Sequence, residues 1–187
     1  MPRLKIVIVL VAAAALAACM TDKTPPSPRH TASLVSVGDL AQAARGATSF
    51  AFMPDGQIVP PDARINTPQI EAEIQHTIRG IITARGYEFT TPDRADRLIG
   101  YAVALESTLS DQDIQTLVGF TPGAASADGL ERGTVLLGIS YPGNRRLVWS
   151  AGMQGVADLT ASDIKRRQRI NKALEQLLIG LPKQSAR

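Results

Sequence analysis

The 187 residues contain one cysteine, two histidines and a single tryptophan, and each shortage closes a route. A lone thiol, Cys19, allows no intrachain disulfide, so packing alone must hold the fold. His30 and His76 lie forty-six positions apart and nothing places carboxylates beside either, so no metal centre is expected. His76 falls two residues from both Ile74 and Ile78, which turns it to solvent. With aromatics at 4% and a formal charge of only +3, the chain has neither stacking platforms nor a basic surplus for nucleic acid. No G-x-S-x-G, H-E-x-x-H or phosphate-cradling glycine loop occurs. Asp111-Gln112-Asp113 opens like a calcium loop, but Thr116 replaces the glycine and Pro122 the glutamate that such a loop needs. The sequence therefore predicts no enzyme, no cofactor and no metal. The acidic residues of 93–113 leave a weak carboxylate hydrolase as the remaining catalytic option.

No apolar run is long enough to cross a membrane, yet Ile6 to Ala18 is uninterrupted and follows Arg3 and Lys5. This is the order of a secretory signal. Leu16-Ala17-Ala18-Cys19 resembles a bacterial lipobox, in which the cysteine is acylated and becomes the new N-terminus; an ordinary signal peptide with a chance cysteine is the alternative. Arg3 and Lys5 would leave with residues 1–18, which lowers the charge to +1. Residues 19–33 then read as the lipidated cysteine and a disordered, Pro-containing tether, and 34–187 as one α+β domain with a short C-terminal tail.

Charge is uneven along that domain. Residues 88–131 hold eight acidic against two basic residues, a net of −6, whereas 160–187 hold seven basic against two acidic, a net of +5. Lys165, Arg166, Arg167 and Arg169 sit in the first turns of the last helix, where positive charge opposes the helix dipole. They read either as a contact for an anionic surface, lipid headgroups or lipopolysaccharide phosphates, or as a solvated face.

Periodicity supplies the elements. Leu34 to Val37 suggests a short edge strand, and Ser49 to Met53 a strand stopped by a turn at Pro54-Asp55-Gly56. Thr67 as N-cap, Pro68, and Ile70, Ile74, Ile78, Ile81 and Ile82 predict a helix that ends at Gly86. From Arg97 to Ser110 large and small residues alternate: Ile99, Tyr101, Val103 and Leu105 on one face, Gly100, Ala102 and Ala104 on the other, a small face that invites close helix packing. Residues 111–132 read as an irregular segment. Thr134–Tyr141 and Leu147–Gln154 predict a hairpin around Pro142-Gly143-Asn144, with Leu147, Trp149 and Ala151 in one row and Trp149 in the core. A last helix is expected to open at Thr160, aided by Asp163, and to bury Ile170, Ala173, Leu174, Leu177, Leu178 and Leu181. The order strand-helix-strand-strand-strand-helix predicts a two-layer α+β sandwich: a mixed, mostly antiparallel sheet with two helices on one face, and its other face solvated or covered by a partner.

In order, Phe50-Ala51-Phe52-Met53-Pro54, Arg85-Gly86-Tyr87, Ala95 to Tyr101, Gly133 to Leu136, Leu147 to Gly152 and Leu177-Leu178 with Leu181-Pro182 resemble the bacterial lipoproteins grouped as domain of unknown function 4136. Arg97 stands where an apolar residue is commoner in that family. The resemblance implies no reaction and no catalytic residues. Met20, in place of aspartate after the cysteine, resembles sorting signals that favour the outer over the inner membrane. The expectation is a periplasm-facing lipoprotein, held to the membrane by acylated Cys19, that acts as a structural or interaction module with an envelope protein partner. The alternative is a carrier or sensor with a pocket for lipid or another small ligand between sheet and helices.

Overall fold

The computed structural model describes residues 32–124 and 130–184. The signal segment, Cys19, His30 and the expected tether to residue 31 lie outside the described residues. Ten elements follow in chain order: β1 (Ser33–Val37), α1 (Leu40–Ala44), β2 (Ser49–Ile58), α2 (Thr67–Ala84), β3 (Glu88–Phe89), β4 (Arg97–Leu105), α3 (Asp111–Val118), β5 (Arg132–Tyr141), β6 (Asn144–Val156) and α4 (Asp163–Leu177). The strands form one sheet in the order β1-β6-β5-β4-β2-β3. β2 runs parallel to β3 and β4, and every other pairing is antiparallel. The mixed α+β sandwich expected from the periodicity is present, with α2 and α4 packed on one face.

The core lies between that face and its helices. Ile70, Ile74, Ile78 and Ile82 of α2 and Ala173, Leu174 and Leu177 of α4 meet Ile99, Tyr101, Val103, Leu137, Ile139 and Trp149 of the sheet. The apolar row of α2 recurs every four residues, which keeps it on one side of an α-helix. Across the helix pair, Asn171 accepts from Thr77 at 2.9 Å and donates to Glu73 at 2.7 Å, which fixes how α4 lies on α2.

Several local expectations are corrected. Thr67 is the first residue of α2 and Asn66 is its N-cap, accepting from the Gln69 N–H at 3.3 Å; Gly86, at φ +90°, does follow the last turn. β1 begins at Ser33, one residue inside the expected tether. Pro54-Asp55-Gly56 does not stop its strand: β2 continues to Ile58 through a register shift between Phe52 and Gln57, with Asp55 at φ 59°. Residues 111–118 are not irregular but form α3, started by a reciprocal capping box between Ser110 and Asp113. α4 opens at Ser162, not Thr160; Asp163 bonds Arg166 instead of closing a cap. A register shift between Ile139 and Ser140 moves Leu147 out of the Trp149–Ala151 row and sets its methyl groups against Gly138 on the opposite face.

That opposite face is partly roofed by the chain itself. Ile114 of α3 is buried over Ala102, Ala104 and Leu136, the small residues of β4 giving the helix its close approach. Beside it, Phe120 and Pro122 crowd Gly152.

Candidate binding cleft

The amphipathic geometry of α4 builds the candidate site. Arg166, Ile170, Ala173 and Leu177 recur at spacings of three and four and face the sheet, while Lys165, Arg169, Lys172 and Gln176 form the adjacent row. Beneath α4, between Arg166 and Gln176, the sheet is not fully covered. A cleft of about 460 Å³ opens there, between α4, the end of α2 that starts near Ile70, and the ends of β4, β5 and β6. Ile65, Ile70, Val103, Val135, Met153 and Ile170 make its apolar walls. Arg166, Arg169, Lys172 and Asp158 are its charged lining. Ala32, the first described residue, also lines it.

The cations differ in what they already hold. Arg166 bonds the Asp163 carboxylate at 2.7 Å and donates to the carbonyls of Ala161 and Leu159 at 3.2 and 3.4 Å. Arg169 reaches Asp158 only at 3.7 Å. Hydrogen bonds from Thr160 hold the Asp158 carboxyl below the ordinary aspartate value, so it stays ionised beside Arg169. Lys172 has no hydrogen bond or ion pair among the described residues. Of the four residues expected on an anionic contact surface, then, Arg166 and Arg169 line the cleft, whereas Lys165 and Arg167 do not. Lys172 was not anticipated. Its signal was available, since residues 165, 169 and 172 are spaced by four and three.

The acidic residues gather elsewhere and in another state. On the face roofed by α3, Arg132 is buried and bonds both Glu106 and Asp111, the latter at 2.9 Å. The Arg132 guanidinium holds both carboxyls below their ordinary values. A general acid near neutral pH needs the opposite shift. Gln154 joins the group through Asp111 and Thr134. Asp113 is lowered chiefly by Ser110, its capping partner. Among the described residues no three His, Cys, Asp or Glu side chains are grouped to hold a metal ion. His76 is exposed and Trp149 is a core residue, both as expected. Among the described residues no helix is long and apolar enough to cross a membrane.

Against known proteins, the model of one family, domain of unknown function DUF4136, matches residues 39–183. Solved structures are similar at low identity. The PelC dodecamer from Paraburkholderia phytofirmans is 11% identical, with a TM-score of 0.48 over 83% of this chain and 100% of that one. A DUF4136 family protein from Bacteroides thetaiotaomicron is 13% identical, with a TM-score of 0.46 over 81% of this chain and 97% of that one. No curated protein matches the sequence.

Proposed function

We propose that this chain, which belongs to the DUF4136 family, is a lipid-anchored protein of the cell envelope that faces the periplasm and works by binding, not by catalysis. In this reading residues 1–18 are the signal, acylated Cys19 holds the protein to the outer membrane, and the α+β domain takes an apolar ligand. The observation that carries the binding reading is the cleft of about 460 Å³ under α4, which has apolar walls and cations at its rim. Its size lies within the range of small-ligand sites, about 300–1,000 Å³. Of the carboxyls available to a hydrolase, Glu106 and Asp111 are lowered by Arg132, and Asp93, Asp96 and Asp113 by hydrogen bonds from Thr91, Thr48 and Ser110, which supports a role without acid–base chemistry.

The test has two arms. Cys19→Ser should move the protein from the membrane to the soluble fraction, and continued firm membrane association would end the anchoring reading. The protein purified from envelopes and extracted with organic solvent should release an apolar molecule in near one-to-one ratio. An extract empty of any such molecule counts against ligand binding.

An envelope protein partner is the second reading. It is favoured by β1, which ends the sheet and leaves Leu34 and Val37 about half exposed. Photo-crosslinkers at Leu34 and Val37 should then capture one protein, while crosslinkers at Lys165 and Arg167 report contact with anionic lipid or lipopolysaccharide.

A further inference from the structure

We infer that the cleft under α4 takes a single-chain anionic amphiphile, one alkyl chain bearing a phosphate or carboxylate, with Lys172 and Arg169 on the headgroup. The inference rests on the ligand-binding reading above and names the ligand class.

The walls select the chain. Ile70, Val103, Val135, Met153 and Ile170 offer aliphatic surface with no hydrogen-bonding group of their own, and the cleft holds no aromatic ring on which a planar ligand would stack. At about 460 Å³ it is a small site, filled by one chain, so that a second chain would stay in solvent. Alkyl burial is favourable in proportion to the area removed from water and asks for no particular direction.

The rim selects the headgroup. Arg166 already spends three of its N–H donors on Asp163 and two carbonyls, which fixes it in the wall and leaves less of it for a ligand than of Arg169 or Lys172. Arg169 has only the distant Asp158 oxygen, and Lys172 has no partner among the described residues. These two side chains lie three residues apart on α4, on one side of the helix, and both line the cleft. An anion placed between them gains two charge-assisted contacts and disturbs no existing close pair. A cationic headgroup would meet a lining in which Asp158 is outnumbered by Arg166, Arg169 and Lys172, and a neutral one would accept hydrogen bonds from the two side chains without the ion pairing.

The experiment titrates the full chain carrying Cys19→Ser, which removes its own acyl chains as competitors, with probes kept below their micelle concentrations. Dodecyl phosphate, dodecanol, inorganic phosphate and dilauroylphosphatidylglycerol are compared by calorimetry. Dodecyl phosphate should bind once per chain and about tenfold or more tighter than dodecanol, the difference that hydrogen bonds to a charged group supply. Inorganic phosphate should not bind at the same concentration, and the two-chain lipid should bind more weakly than dodecyl phosphate. Lys172→Glu should remove the preference for phosphate while changing dodecanol binding far less. Ala173→Phe, which fills the cleft, should weaken both alkyl probes. Lys172 is exposed, so its variant carries the test even if Ala173→Phe does not fold. Equal binding of dodecanol and dodecyl phosphate overturns the headgroup assignment while the apolar-ligand reading stands. Equal binding of the two-chain lipid overturns the single chain. Binding by no alkyl probe overturns both readings.

Discussion

The Asp96 carboxylate accepts the backbone N–H of Thr48 at 2.8 Å, so the residue before β4 holds the residue before β2, its parallel neighbour. The same oxygen also accepts from the Thr48 hydroxyl at 2.8 Å and from the Ser49 N–H and hydroxyl, each at 3.2 Å. Parallel strands have no tight turn to set their register, and this carboxylate sets it here.

Asp96→Asn should therefore lower unfolding free energy by about 1–3 kcal/mol at neutral pH. Donation from Thr48 holds the Asp96 carboxyl below its ordinary value of 3.8. For a carboxyl lowered on folding, the stabilisation is present above the unfolded value and is lost as pH falls through the folded one. Urea unfolding between pH 7 and pH 2 should show wild type and variant far apart at neutral pH and converging in acid. A pH-independent gap would mean that the ionised form plays no part.

Gly152→Ala should cost about 1–3 kcal/mol by overpacking. A Cβ there would lie 2.7 Å from Leu136 Cδ2, 3.0 Å from Pro122 Cγ and 3.2 Å from Phe120 Cε2. Because two of those neighbours belong to the segment after α3, the same variant should speed hydrogen exchange in α3. Thermal denaturation and exchange mass spectrometry read the two effects.

Ser110→Ala removes one half of the α3 capping box and should cost about 0.5–2 kcal/mol. The loss should stay local, with faster amide exchange at Asp113 and Ile114 and unchanged exchange in α2. Spread of the effect to α2 would show that α3 is coupled to the main core.

Arg132→Met leaves Glu106 and Asp111 facing each other without their shared cation. Their side chains are 38% and 45% exposed, so water relieves part of the loss, and about 1–3 kcal/mol is expected at pH 7. The arginine lowers both carboxyls, so its contribution is present at neutral pH and disappears as the pair is protonated. Chemical unfolding of wild type and variant at pH 7 and pH 3 should show the gap narrowing in acid.

What the chain reveals before folding depends on how many residues repeat a pattern. α2 repeats isoleucine through four turns, and β4 alternates large and small residues from Ile99 to Leu105, so both are readable locally. α1 spans five residues and β3 two, too few to complete a period. α3 was masked by its polarity, since Ile114 is its one buried residue; the Ser110–Asp113 pair was the readable trace. Asp55-Gly56 carries turn chemistry, but β4 and Gln57 pull the strand onward past the bulge, and Gln57 closes it by donating to the Met53 carbonyl at 2.9 Å. Arg97 is a buried charge that no periodicity foretells. It donates to the carbonyls of Ala43, Asp96 and Arg45 and lies 4.3 Å from the Tyr141 ring centroid, partners from three separate parts of the chain. The cleft is non-local in the same sense. Its walls come from α2, three strand ends and α4, and only the cationic row of α4 could be traced within one segment.

Ala32, in the wall of the cleft, fixes where any leash on this domain is attached. With Cys19 acylated as proposed, twelve residues lie between it and Ala32, and the thirteen steps reach at most about 45 Å whatever their conformation. Capture of an amphiphile from that membrane then becomes an encounter at high effective concentration, about millimolar for a short linker. A site so placed stays occupied with modest intrinsic affinity. Modest affinity in turn means short residence times, so the cargo would be exchanged rapidly instead of being stored.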